Sequence, residues 1–458
     1  MRNSLRLWLF SAAIAVMVAV PIRVAAHTGE SWSQFQGGPT HAAFEQDSPE
    51  PPYETAWTYQ PGGDETAGLS TPVVVGHIAA AITSKTVIAL DLESGEELWS
   101  EPRVEGPITP PATGVLGLRR VIVFTEGEGE ETVLAAMDLD ERKRLWKSPI
   151  GAHANGVTVE GDVVAVGMED GTLSAFELES GNKRWDLDAG NGAIRTPPAA
   201  ANGVVYAAVG NGTAGESAIV AVDMATGEKR WSFDPGLGAL PSGLTLAEGR
   251  VVAGFFDQTV RSLDASNGAE QWQVRIRAPV WFLSSPAAAQ GDFLVADISG
   301  GLYKLDGGSG RREWDFQFNP SGSGAVQGAP AVSGGYVLLG LQDGRIAAVD
   351  LDAGHQVWET STGSGGVFPF ALSPEAVLAA KQGGRGARGG LIALRHDPAG
   401  SLSQIESPSK LEFGRALVAY AEAFALVFAV FFLLFRVAGS RILPERPDGE
   451  DEEMDVTE

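Results

Sequence analysis

The sequence predicts an all-β protein: an eight-bladed β-propeller of four-stranded blades, ring-closed by its N- and C-terminal parts, plus one C-terminal transmembrane helix. Three observations predict it. A phrase ending in tryptophan recurs seven times, half-copies of it stand at the two ends of the array, and one apolar run of bilayer length lies near the C-terminus.

The phrase first reads VIALDLESGEELW, Val87 to Trp99. It returns as VLAAMDLDERKRLW to Trp146, LSAFELESGNKRW to Trp185, IVAVDMATGEKRW to Trp231, VRSLDASNGAEQW to Trp272, LYKLDGGSGRREW to Trp314 and IAAVDLDAGHQVW to Trp358. Eight residues before each tryptophan stands an acid: Asp91, Asp138, Glu177, Asp223, Asp264, Asp306 and Asp350. Four before it stands glycine in six copies, and Arg142 in the other. Successive tryptophans lie 47, 39, 46, 41, 42 and 44 residues apart. Between copies, short apolar runs are broken by Gly, Asp and Asn turns, and no helical periodicity is long enough to bury a face. Four strands in roughly 40 to 45 residues is the arithmetic of a propeller blade.

Each part of the phrase has a mechanical reading. The run IALD is a third strand, ESGE a hairpin turn whose glycine supplies positive φ, and the tryptophan belongs to the outer strand. The acid at the strand end accepts hydrogen bonds from the turn. The tryptophan covers the gap to the next blade, a latch that contributes several kcal/mol of burial, on the order of other large aromatics.

The ends of the array hold complementary halves. Trp57 lies 42 residues before Trp99 with no strand-acid-glycine phrase ahead of it. LIALRHDPAGSL, Leu391 to Leu402, is the phrase without its tryptophan and with Arg395 in place of the acid. Pairing the Trp57 strand beside the Leu391 strand makes an eighth blade and removes the open sheet edges. The boundaries that follow are a leading segment over 27–56, a propeller over 57–402 and a linker over 403–415.

The Ala-x-Asp, Thr/Ser-Gly and Trp pattern resembles the repeat of the quinoprotein-type propellers, named for pyrroloquinoline quinone. The run WSQFQGGPTHAAF, Trp32 to Phe44, is similar to the start of that superfamily's propeller. The resemblance covers roughly residues 30 to 402. It implies either a quinone-dependent alcohol dehydrogenase or a non-enzymatic member, such as the lipoprotein subunit of the bacterial outer-membrane assembly machinery. Many of the dehydrogenases sandwich the quinone against two bonded cysteines, and this chain has no cysteine. No Asp-Glu-Asn set matches their calcium and base positions. The resemblance therefore points to the non-enzymatic kind, although the cysteine that would anchor a lipoprotein is missing too.

Composition narrows the function further. The net charge is −25, with 58 acids against 33 bases, of which only eight are lysine. Acids spread this evenly read as a surface suited to concentrated salt. A nucleic-acid partner needs a basic stripe and is not expected. The absence of cysteine excludes disulfides, thiolate metal sites and cysteine nucleophiles.

Both ends carry targeting signals. MRNSLRLWLFSAAIAVMVAV and the small residues Val24, Ala25 and Ala26 have the order of a secretory signal over 1–26, with cleavage after Ala26; a retained signal anchor is the other reading. ALVAYAEAFALVFAVFFLLF, Ala416 to Phe435, is long enough at 1.5 Å per residue to cross a hydrocarbon core of about 30 Å. Arg436, Arg441 and Arg446 then begin an acidic cytoplasmic tail over 436–458. Glu422 inside the apolar run reaches outward to the interface or pairs with another subunit. The sequon Asn211-Gly212-Thr213 is a possible glycosylation site.

Candidate chemistry is sparse. The six histidines, His27, His41, His77, His153, His355 and His396, show no metal-ligand spacing and read as surface or loop residues. The GxGxxG of Gly384 to Gly389 lies between strands, without the helix a dinucleotide site requires. In the Gly/Pro segments that crowd a propeller's channel, Arg195 and the pair Trp281 and Phe282 break the small-residue pattern, making a candidate binding rim. The expectation is a membrane-anchored extracytoplasmic disc that binds a protein or envelope partner, with no catalytic residue, metal or cofactor. The alternatives are a dehydrogenase using pyrroloquinoline quinone with calcium, and a carbohydrate-binding or sensing surface protein.

Overall fold

A computed structural model of the chain describes residues 32–62, 68–211, 216–276, 284–318, 326, 328–383 and 388–403. The signal sequence, the apolar run 416–435, the acidic tail and most of the GxGxxG segment lie outside these residues. Among the described residues no helix is long and apolar enough to cross a membrane.

Eight antiparallel sheets follow one another in the chain. In each, an inner, second, third and outer strand run up and down in sequence order. In blade 1 these are Val73–Val75, Ile78–Ile82, Thr86–Asp91 and Glu97–Pro102. Blades 2 to 7 occupy residues 112–149, 154–188, 193–233, 241–275, 287–317 and 331–361. Blade 4 interrupts its inner strand, so that Ala193–Ile194 and Ala199–Ala201 both pair with Val204–Gly210. Blade 7 gains a fifth, parallel strand, Phe44–Glu45. Blade 8 is built from both ends: Val367–Leu372, Val377–Lys381 and Gly390–His396 are completed by Tyr53–Tyr59, with Trp57 opposite Ala393. The closing strand thus starts at Tyr53, ahead of the expected boundary at Trp57.

The sequence pattern explains the layering. Second and third strands such as IAAAI and TVIALD are buried on both faces, which small and β-branched side chains allow between closely packed sheets. Outer strands alternate, and each carries a β-bulge immediately before its tryptophan, the closing strand included. A bulge re-aims the following side chain. Here it turns the indole across to the next blade.

There the indoles of Trp57, Trp146, Trp185, Trp231, Trp272 and Trp314 donate to the carbonyls of Leu92, Leu178, Met224, Ala265, Gly307 and Leu351, at 2.8 to 3.1 Å. Each acceptor follows the acid of the next blade, and the ring lies against that blade's turn glycine. The acids tie down the same turns. Asp223 Oδ1 accepts from the N–H groups of Ala225 and Thr226, and Asp91, Asp138, Asp264, Asp306 and Asp350 bond their turns similarly. Glu177, one methylene longer, accepts from the Ser180 hydroxyl instead.

Two tryptophans depart from the pattern. Trp99 faces the blade whose turn carries Arg142 at φ 56°, and no indole hydrogen bond is found for it among the described residues. Trp358 faces the closing blade and meets Tyr53 edge-on at 5.1 Å. A left-handed backbone costs a residue with a side chain about 1–2 kcal/mol. Arg142→Gly should therefore stabilise the fold by about 1 kcal/mol. Gly268→Ala should cost about 2 kcal/mol or more, because its new Cβ would stand 2.6 Å from the Trp231 ring at φ +74°. Urea unfolding of the two variants checks both signs.

Candidate functional site

The segment Trp32–Glu45 runs round the channel and meets the inner strands of blades 1 to 7 in order. Inner strands at a propeller's axis have N–H groups with no neighbouring strand, and buried donors need partners. Trp32 O accepts from Val74 N, Ser33 O from Thr113 N, Pro39 O from Ala200 N and Thr40 O from Leu246 N. Ala42 O and Ala43 O then accept from Ala288 N and Val332 N. At blade 3 a side chain substitutes: Gln34 brackets Val159, its Oε1 accepting from the N–H and its Nε2 donating to the carbonyl, both at 2.9 Å. To make seven contacts in so short a length, the segment places Gln36, His41 and Ala43 at positive φ.

His41, read from the sequence as a surface or loop residue, is fully buried in this belt. Its Nδ1 donates to Leu244 O at 3.2 Å and its ring meets Phe35 edge-on. Burial lowers its pKa from 6.5 to about 4, opposed in part by the Leu244 hydrogen bond. The imidazole is therefore neutral.

The belt crosses the channel where the inner strands finish and floors a cavity of about 350 Å³ on its other side. The floor is Trp32, Phe35, Gln36 and Ala43; the walls are the segments that lead into the inner strands of blades 1, 2, 6 and 7, with Phe370 and Gln382 of blade 8. These Gly/Pro-rich segments do line the channel. None of the described lining residues is charged.

The quinone of the resembling dehydrogenases carries three carboxyl groups and works with calcium. Anions and cations leaving water need opposite charges around them. This lining supplies none, and among the described residues no group of three or more His, Asp or Glu could hold a metal ion. The described residues do not fit the group.

Of the candidate rim, Arg195 is exposed at the break in the blade 4 inner strand, its Nη1 donating to Gly210 O at 2.8 Å. Asn211, also exposed, follows that carbonyl directly, so the two share one patch of rim. Trp281 and Phe282 lie outside the described residues, as do Gly212 and Thr213 of the sequon. Leu118, 99% exposed, stands at the inner hairpin of blade 2 on the opposite face. Sequence reasoning missed the belt side chains Gln34, Gln36 and His41, and the cavity group Thr71. Only the two glutamines of SQFQ, set between Trp32 and Gly37, could have signalled the first two of them.

The chain matches the family described as outer membrane protein assembly factor BamB over residues 129–280 and 215–367, together more than half of its length. It belongs to that family. Similar relatives of the same description include those of Moranella endobia, 27% identical over 51% of this chain and 53% of that one, and Bordetella pertussis, 27% identical over 66% of each. The protein of Shewanella oneidensis is 29% identical over 30% of this chain and 37% of its own. The chain thus spans from about a third to two thirds of these relatives' length. Among solved structures, a quinohemoprotein alcohol dehydrogenase from Pseudomonas putida aligns over 83% of this chain and 82% of its own, with TM-score 0.64 at 15% identity. BamB from Moraxella catarrhalis aligns over 75% and 99%, with TM-score 0.57 at 14% identity. At such identities the likeness is one of fold, common to the enzyme and the assembly factor. Family membership, not shape, separates the two.

Proposed function

We propose that this propeller is a non-enzymatic, membrane-anchored scaffold of the cell envelope that binds a protein partner through the rim around its open channel mouth. The observation that carries the reading is membership of a family described as an outer membrane protein assembly factor, in a chain whose cavity lacks the charges a quinone requires. The rim residues would be Arg195, Trp281 and Phe282, one cation and two aromatics, which is the composition of interaction anchors. Glycosylation at Asn211 would crowd Arg195.

The anchor proposal follows from the sequence and from where the disc ends. Ser403 N donates to Val357 O, at the start of blade 7's outer strand, on the same side as the belt. Twelve further residues separate it from Ala416, a tether of at most about 40 Å. With 416–435 in the bilayer and 1–26 directing export, the belt side would face the membrane and the open mouth the partner. The surface acids would keep the disc soluble at high salt.

Photo-crosslinking in native membranes tests this. A crosslinker at position 195 or 281 should give a discrete adduct with one envelope protein, and one at Leu118 should not. Arg195→Glu should remove the adduct formed from position 281. Equal labelling from Leu118, or an unchanged adduct in Arg195→Glu, would sink the rim assignment.

A further inference from the structure

The cavity above the belt has a chemistry of its own. In a chain of which 20% is charged, its described walls carry no charged side chain. They combine rings, Trp32, Phe35 and Phe370, with uncharged groups that both donate and accept hydrogen bonds. Some of these are already engaged. Ser70 Oγ accepts from Ile82 N and donates to Thr71 O, and Ser284 Oγ accepts from Ala296 N. Gln36 donates through Nε2 to Pro286 O at 2.9 Å, which fixes its amide while leaving Oε1 without a partner.

Others are free. The side chains of Thr71, Ser285 and Gln382 line the same space and make no hydrogen bond among the described residues. Thr71 is 4% exposed, yet its hydroxyl is not shut off from open space as the Gln36 oxygen is. A polar group held this far from bulk water gains from a ligand that donates and accepts. The volume, about 350 Å³, is at the small end of ligand sites.

We propose that this cavity binds a neutral, hydroxylated ring of hexose size. Such a ring offers C–H faces to the aromatic side chains, and hydroxyls to Thr71, Ser285 and Gln382. A carboxylate or a cation on the same ring would find no counter-charge among the described wall residues and lose its hydration unpaired. The site is distinct from the Arg195 rim and does not depend on the partner-binding reading.

The test is calorimetric titration of the full chain in a polyoxyethylene detergent, which carries no sugar headgroup. D-glucose and D-galactose are the probes, D-glucuronate is the charged analogue, and pyrroloquinoline quinone with calcium is the competing ligand. Saturable binding of at least one hexose with Kd of about 1 mM or tighter is expected, with glucuronate weaker by about tenfold or more. Thr71→Val and Ser285→Ala should each weaken the hexose about fivefold at unchanged urea stability. Gln382→Ala, at an exposed position, keeps the test decisive if either of those variants misfolds. No saturation by either hexose at about 50 mM overturns the proposal. So does glucuronate or the quinone binding more tightly than the hexoses, or hexose affinity unchanged in every folded variant. Rim crosslinking and hexose binding are separate readouts, so either reading can fail alone.

Discussion

Trp57→Ala should destabilise the disc by about 3–5 kcal/mol, the range for removing a large buried aromatic. Trp57 is 9% exposed; its indole donates to Leu92 O at 3.1 Å and its ring covers Gly95. Truncation removes that packing and leaves the carbonyl unmatched. It also loosens the Tyr53–Tyr59 strand, which is the outer edge of blade 8 and completes the sheet made by the last three strands. The loss should therefore be local first: amide exchange should rise along Gly390–His396 and not along Ser217–Asp223 in blade 4. Trp231→Ala, within a blade built from one continuous stretch of chain, should show the reverse distribution. A Trp57→Ala cost below about 1 kcal/mol, or exchange raised evenly round the ring, would mean that closure is not held there.

Acidification should expose the second large effect. His41 is neutral in the fold with a pKa of about 4, against the ordinary 6.5 of an unfolded chain. Above pH 6.5 neither state binds the proton and the residue contributes no pH dependence. From pH 6.5 down to about 4 the unfolded chain takes up a proton that the fold refuses, so stability falls, by about 1.4 kcal/mol per pH unit and about 3 kcal/mol in all. Asp223, held down to about 2 chiefly by the Arg230 guanidinium, loses its contribution only at lower pH, between its ordinary 3.8 and about 2. Asp297 and Glu160, raised by burial, work in the opposite direction on acidification. The difference between wild type and His41→Asn isolates the histidine, since asparagine tolerates the φ of 55° found there. Urea stability of the two should differ by a constant above pH 6.5, and the wild type should lose about 3 kcal/mol more than the variant by pH 4. Parallel curves across that window would show that His41 accepts a proton inside the fold.

These two residues also mark how far the sequence could be read. Trp57 was legible because the repeat does the same job many times. Trp146, Trp185, Trp231, Trp272 and Trp314 make one contact with one partner position, so strand, acid, glycine and tryptophan recur at fixed spacing. The half-copies then located ring closure, and the one arginine among the turn glycines marked the turn that Trp99 of the preceding blade meets without an indole hydrogen bond among the described residues. His41 was illegible for the opposite reason. The belt meets six of its seven blades through backbone carbonyls, and a carbonyl leaves no trace in residue type. Nothing in Gln36, His41 or Ala43 announces a left-handed backbone. The cavity was hidden likewise, because its lining comes from separated lead-ins and one non-repeating segment. Arg195 stood out as a charge among small residues, and it is exposed at a break in its strand.

The belt has a consequence for the order in which the molecule can be made. Its residues are synthesised before every blade, yet Gln36 bonds Pro286, 250 positions later, and just beyond the belt Glu50 bonds His396, 346 positions later. Until the seventh blade exists, the leading segment has only part of its seat, and the blades already made form an open fan. Contacts so distant along the chain are slow to form, and unpaired edges invite association with other chains. The ribosome therefore delivers the belt before its seat is complete, and the ring closes only at the end of synthesis of the blades. A chain cut short by its last blade would lose more than an eighth of the ring, because the Tyr53–Tyr59 strand would have no sheet to complete.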